Sequence, residues 1–187
     1  RALTKLGAHV IMACRSFERG MQAYQSIKEK NLSAKLTLVP VDVSELGSVH
    51  GFCDWLNDEF DSIDGLIHNA GVLVHEHQQT DDGHELTLAT HLLGPYLMTQ
   101  RLLGLLKQSD NGRVVFVSSG GMYTQRLNLK YLFEGAKSFD GVKLYAQAKR
   151  AQVILCEELA ENLKSSSVTV HAMHPGWADT PGVEKSL

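Results

Sequence analysis

Tyr145 and Lys149 stand four residues apart in the stretch YAQAK. On a helix that spacing stacks the two side chains one turn above each other. An ammonium a few Å from a phenol favours the phenolate, and draws a tyrosine down from its usual pKa of about 10 toward the range useful for proton transfer. The same spacing also fits an exposed helix bearing a solvated tyrosine and lysine, so the pair alone leaves both readings open. A histidine-rich stretch, HEHQQTDDGHE from His75 to Glu85, raises the question of a metal. It lacks the HExxH spacing that sets two imidazoles on one helical face, and turn formers cluster in it, so it reads as a solvated loop.

The surroundings must decide what Tyr145 and Lys149 do. At 187 residues, 43% hydrophobic and 21% charged, the chain has the composition of one sizeable soluble globular domain spanning 1–187. A net charge of −3 with scattered basic residues gives no basic stripe for a phosphate backbone, which argues against a nucleic-acid partner. No apolar run approaches the roughly 20 residues of a transmembrane helix, and no signal-peptide pattern opens the chain. Cys14, Cys53 and Cys156 are few and widely spaced. They read as reduced core thiols and favour a cytoplasmic setting.

Apolar and amphipathic runs alternate along the whole chain, the pattern of parallel strands joined by helices. Strands are predicted at AHVIMAC (8–14), KLTLVPVD (35–42), IDGLIHNA (63–70), RVVFVSS (113–119) and VTVHAMH (168–174), with helices near 16–30, 45–59, 84–107 and 141–164. The expected fold is α/β, a doubly wound parallel sheet of Rossmann type with helices on both faces. RALTKLG reads as the tail of a helix capped by Gly7, so the chain is expected to be part of a longer protein. Ligands of such sheets bind outside the carboxyl ends of the strands. The chemically informative residues fall at those ends: Arg15, Asp42, Asn69-Ala70-Gly71, Ser118-Ser119 and His174-Pro175-Gly176.

The tags DVS (42–44), NAG (69–71), VSS (117–119), YAQAK (145–149) and HPG (174–176), with Thr180 four residues beyond the last glycine, resemble the short-chain dehydrogenase/reductase (SDR) family in both content and order. The resemblance implies an oxidoreductase that moves hydride between a nicotinamide and the carbon of an alcohol or carbonyl. It implies that Ser119 hydrogen-bonds the substrate oxygen, that Tyr145 gives or takes the proton, and that Lys149 lowers the tyrosine's pKa while holding the nicotinamide ribose. Cofactor contacts are implied for Asp42 (adenine), for Asn69, Ala70 and Gly71 (the cleft), for Tyr145 and Lys149, and for Pro175, Gly176 and Thr180 near the nicotinamide. Arg15, just past a strand that is the second in the family, is suited to a ribose 2′-phosphate and argues for NADP over NAD. Trp177 reads as a packing residue of the HPG loop.

Two departures stand out. Where the family carries a catalytic asparagine in an N-x-L-G motif, this chain has THLLGPY with His91. In the family that asparagine's main chain holds a water linking the lysine to solvent. A histidine there either preserves the relay and titrates near pH 6.5, or is a partly buried helix residue in a weakened site. The glycine-rich loop TGxxxGIG and the strand before it are absent. In the family order 3-2-1-4-5-6-7 that strand lies between the first and third strands seen here, so two central edges are expected to be unpaired. The 187 residues by themselves are accordingly expected to bind cofactor poorly and to fold unstably.

Ser119 and Tyr145 are 26 residues apart, about twice the family's common spacing. The insertion within Gly120–Asp140 reads either as a lid or short helix over a substrate pocket or as a surface decoration. A similar insertion in retinol-dehydrogenase-like members implies a hydrophobic alcohol or carbonyl substrate. The alternative is a non-catalytic SDR-fold protein acting as a cofactor sensor or interaction partner. The long helices offer surface for a homo-oligomer.

Overall fold

The computed structural model describes residues 1–134 and 138–176, which cluster into two compact units, Arg1–Val43 and Ser44 onward. In the first unit, α1 (Ala2–Lys5) ends at Leu6, and Gly7 takes the left-handed φ of 88° that a side chain would resist. Its neighbour closes the cap, with the Ala8 N–H donating to the Leu3 carbonyl at 3.1 Å. Strands β1 (His9–Cys14) and β2 (Lys35–Pro40) pair in parallel, His9 opposite Lys35 and Cys14 opposite Pro40. Helix α2 (Phe17–Lys30) crosses between them, started by Ser16, whose Oγ accepts from the Arg19 N–H. Both strands stop where the sequence places Arg15 and Asp42.

In the second unit β3 (Gly65–His68), β4 (Arg113–Val117) and β5 (Thr169–Met173) form a parallel sheet in that order. His68 lies opposite Phe116, and Val117 opposite Met173. Helix α3 (Leu46–Glu59) packs on α5 (Gly94–Lys107), burying Val49, Phe52, Cys53 and Leu56. Helix α7 (Gly141–Leu163) lies along β5, and Leu106, Val114, Phe116, Cys156, Leu159 and Val170 close the core beneath it. The pairing divides where the family order predicts: β1–β2 and β3–β4–β5 are separate sheets.

The insertion does contain a short helix. A 3₁₀ turn (Gly120–Thr124) leads to α6 (Leu129–Glu134), whose Leu132 is buried with Leu88, Leu92, Leu144, Ala148 and Ala151. The His75–Glu85 segment runs over the surface, with His75, Glu76 and His77 exposed. Cys14, Cys53 and Cys156 are free thiols, and among the described residues no helix is long and apolar enough to cross a membrane. Phe116 is fully buried, its ring against His68 at 4.7 Å. Phe116→Ala is therefore expected to cost about 3–5 kcal/mol, read as a lowered urea midpoint of the full-length protein.

Candidate active site

Helix α7 starts cleanly because Asp140 caps it, its Oδ1 accepting from the Lys143 N–H at 2.9 Å. Tyr145 lies in its second turn, half-buried, and Lys149 one turn later is 4% exposed. The predicted stacking forms, with Lys149 Nζ 5.6 Å from the centre of the Tyr145 ring. Lys149 is fixed at both of its ends to the carboxyl end of β4. Its ammonium donates to the Val117 carbonyl at 2.8 Å, and its own carbonyl accepts from Ser118 Oγ at 2.9 Å. Burial draws the amine down to a pKa of about 8, because a cation in low dielectric costs more than a neutral amine.

Ser119 follows β4 directly and begins the 3₁₀ turn, its Oγ accepting from the Gly121 N–H at 3.2 Å. A methyl built on Gly121 would lie 3.6 Å from Ser119 Oγ and 3.9 Å from the Tyr145 ring. Hydroxyl and phenol ring thus border one point in space. Twenty-six residues of sequence separation collapse here because the strand end and the first turns of α7 are held together through Ser118 and Lys149.

His91 also belongs to this cluster, in a state nearer the second of the two readings that the sequence left open. It is fully buried in a π turn (Ala89–Leu93) between α4 (Leu86–Leu88) and α5. Its ring meets Tyr145 edge-on at 5.4 Å. Nε2 faces the main chain of Val72, 2.9 Å from its carbonyl and 3.2 Å from its N–H. Burial first, then the Lys149 charge, push its pKa to about 3, against a smaller opposing pull from the Val72 hydrogen bond. Of the two alternatives, titration near pH 6.5 is disfavoured by this burial, which leaves the ring uncharged at neutral pH. His91 also explains Gly71, where an added Cβ would come within 3.0 Å of His91 Cε1. The glycine of the NAG tag leaves room for this ring, which a side chain there would crowd.

Two residues here escaped sequence reasoning. Ser118 was read only as part of a tag, yet it fastens α7 to β4. Gln152 is wholly buried, and its Nε2 donates to the His91 carbonyl at 2.9 Å. The available signal was an amide seven residues after Tyr145, and so on its stripe of the helix, in the otherwise apolar run AQVILC.

Asn69, Ala70 and Gly71 are exposed just beyond β3, as are His174, Pro175 and Gly176 beyond β5. With Ser119 beyond β4, they occupy one edge of this sheet. In the first unit Arg15 Nη1 lies 3.6 Å from Asp42 Oδ2, with the arginine side chain 73% exposed. In the second unit, exposed main chain and small residues at strand ends beside a buried amine suit a ligand bound outside the carboxyl ends of the strands. Trp177 and Thr180 lie outside the described residues.

The family profile for the short chain dehydrogenases matches residues 1–187. The chain belongs to this family. Among curated relatives it is 37% identical over 185 residues to dehydrogenase/reductase SDR family member 12 of Bos taurus, covering 99% of this chain and 57% of that protein. It is 35% identical to retinol dehydrogenase 14 of Mus musculus, covering 95% of this chain and 56% of that one. The chain thus spans little more than half the length of these relatives. The crystal structure of an uncharacterised protein from Mycobacterium paratuberculosis superposes with a TM-score of 0.80 at 32% identity, covering 95% of this chain and 62% of the other. In this short chain dehydrogenase, then, the position held by asparagine in the family pattern carries a buried neutral histidine.

A second buried histidine, His68, also has its pKa pushed down to about 3 by burial. Its Nε2 and Thr99 Oγ1 are 2.8 Å apart, and Thr99 donates onward to the Pro95 carbonyl, so Nε2 carries the proton. Unfolded, both histidines bind protons below about pH 6.5. Folded, they do so only near pH 3. Between those values the unfolded chain holds up to two more protons, so stability falls as pH falls. Urea midpoints of the full-length protein measured from pH 7 to pH 3.5 should show this decline, and His68→Gln should remove half of the histidine contribution to its slope.

Proposed function

We propose that the protein is an NADP-dependent oxidoreductase interconverting an alcohol and a carbonyl on a hydrophobic substrate, with Ser119, Tyr145 and Lys149 as its catalytic residues. The observation that carries this reading is the convergence of the Ser119 hydroxyl and the Tyr145 ring on Gly121, with the Lys149 amine fixed 5.6 Å from that ring. When bound, the dinucleotide supplies or accepts the hydride. Ser119 Oγ, already accepting from Gly121, donates its proton as a hydrogen bond to the substrate oxygen. Tyr145 passes a proton to or from that same oxygen. The Lys149 cation favours the phenolate, and its bond to Val117 holds it where that field acts. Neutral His91 braces the phenol ring without adding a charge that would compete with Lys149.

In this reading Asn69, Ala70, Gly71, Pro175 and Gly176 are the cofactor contacts of the second unit, and Asp42 of the first unit is the contact for the adenine. The preference for NADP rests on Arg15, whose exposed guanidinium would take the 2′-phosphate. The insertion, together with the retinol dehydrogenases among the relatives, supports a hydrophobic substrate.

Full-length protein oxidising NADPH with hydrophobic aldehydes and ketones is the direct test. Tyr145→Phe should lower kcat by about 10²–10⁴-fold while NADPH still binds. Turnover unaffected by this change would refute the assignment, and tight NADPH binding without turnover would favour a non-catalytic sensor. Arg15→Ala should raise KM for NADPH by about 10- to 100-fold, the loss of about 1.5–3 kcal/mol of charge-assisted bonding. KM for NADH should stay within about twofold, as expected where no 2′-phosphate is read.

A further inference from the structure

We infer that Gln152 is a positioning residue for Tyr145 and Lys149, acting through the main-chain carbonyl of His91. This inference rests on the catalytic reading above. An amide buried inside a helix bundle is unfavourable unless it is hydrogen-bonded. Leucine or alanine would sit more cheaply beside Ala148 and Ala151, which are buried on the same helix. What the amide achieves is a bond across 61 residues, Nε2 of Gln152 to the carbonyl of His91 at 2.9 Å.

That carbonyl needs an outside donor. In a regular α-helix it would accept from the N–H four residues on, and residue 95 is proline, which has none. The proline ring also crowds the carbonyl four residues before it. The backbone answers with the π turn at Ala89–Leu93, and Gln152 meets the carbonyl that Pro95 leaves without its α-helical partner.

The consequence reaches the phenol. Tyr145, Lys149 and Gln152 follow one another at i, i+4 and i+7 along α7. Gln152 ties α7 to the π turn, and the His91 ring returns from that turn to meet Tyr145 edge-on at 5.4 Å. The same ring reaches the Val72 main chain and fills the space beside Gly71. The carbonyl's position therefore fixes three features together: the brace on Tyr145, the start of the loop after NAG, and the register of the π turn. Among the described residues Lys149 is the charged group that shifts His91, so a ring displaced from this place also alters the surroundings of the amine.

The test compares full-length wild type, Gln152→Leu and Gln152→Glu, by kinetics, by melting at each pH and by crystal structure. Gln152→Leu should lower kcat by about 10- to 100-fold, as misplacement of a reacting group does, with KM for the cofactor unchanged. Gln152→Glu should recover activity at low pH, where its protonated carboxyl donates to the His91 carbonyl, and lose it as pH rises and the carboxylate repels that carbonyl. A purely structural role predicts that activity follows melting temperature in both variants, which would overturn the inference. Should wild type show no turnover, the catalytic reading falls and the crystal structures decide: a shifted π turn and a His91 ring moved off Tyr145 in Gln152→Leu support the positioning role, and an unchanged ring refutes it.

Discussion

Lys149 is held at both ends. Its ammonium donates to the last carbonyl of β4 and its own carbonyl accepts from Ser118, the next residue along. Those two bonds lock the second and third turns of a 23-residue helix to the end of a buried strand. Everything chemical in the second unit depends on that lock. Ser119 follows β4 directly and comes beside the Tyr145 ring at Gly121. The amine is desolvated by the same packing, and its pKa of about 8 expresses the cost of keeping a cation there.

The electrostatics around this lock are arranged by exclusion. The buried histidines His68 and His91 are both neutral at working pH because burial opposes their protonation. Lys149 is thus the cation beside the phenol, and the adjoining His91 ring adds no charge to its field. His91 contributes shape: an edge against the tyrosine ring, a contact with Val72 and a volume that a side chain at position 71 would crowd. An asparagine would be smaller, and the glycine, the π turn and Gln152 together form a setting matched to the larger ring.

The insertion is anchored where it leaves the site. Gln147, buried two residues after Tyr145, accepts from the Asn128 N–H at 2.8 Å and donates to the Arg126 carbonyl at 2.5 Å. It pairs with this stretch of backbone as a strand would. Leu132 then seals α6 onto Leu88, Leu92 and Leu144. A cavity of about 550 Å³ lies between this helix, the start of α7 and the His77–Glu85 loop, with Leu88, Leu93, Leu132 and Leu144 in its wall. The insertion is therefore built on α7 and shapes space beside it; Ser119 and Tyr145 do not line that cavity.

Much of this was legible in the sequence because it is local. Alternating apolar and amphipathic runs set the order of strands and helices, since side-chain period and burial are properties of short windows. Gly7 announced its cap, and YAQAK its stacked pair, because helical geometry relates residues three to five positions apart. The division between β1–β2 and β3–β4–β5 was what the resemblance implied, through the family's strand order and the strand this chain lacks. What the sequence could not decide was anything requiring a distance between segments far apart in the chain. The charge state of His91 depends on how completely Tyr145, Val72 and Gly71 enclose it, and no window around position 91 contains them. The need for an amide at Gln152 depends on a carbonyl 61 residues away, itself stripped of its usual partner by Pro95. By itself the sequence determined which chemical groups are present and which elements carry them; the tertiary structure alone decided which of them are desolvated, paired and therefore neutral or charged, because dielectric environment belongs to the packed whole.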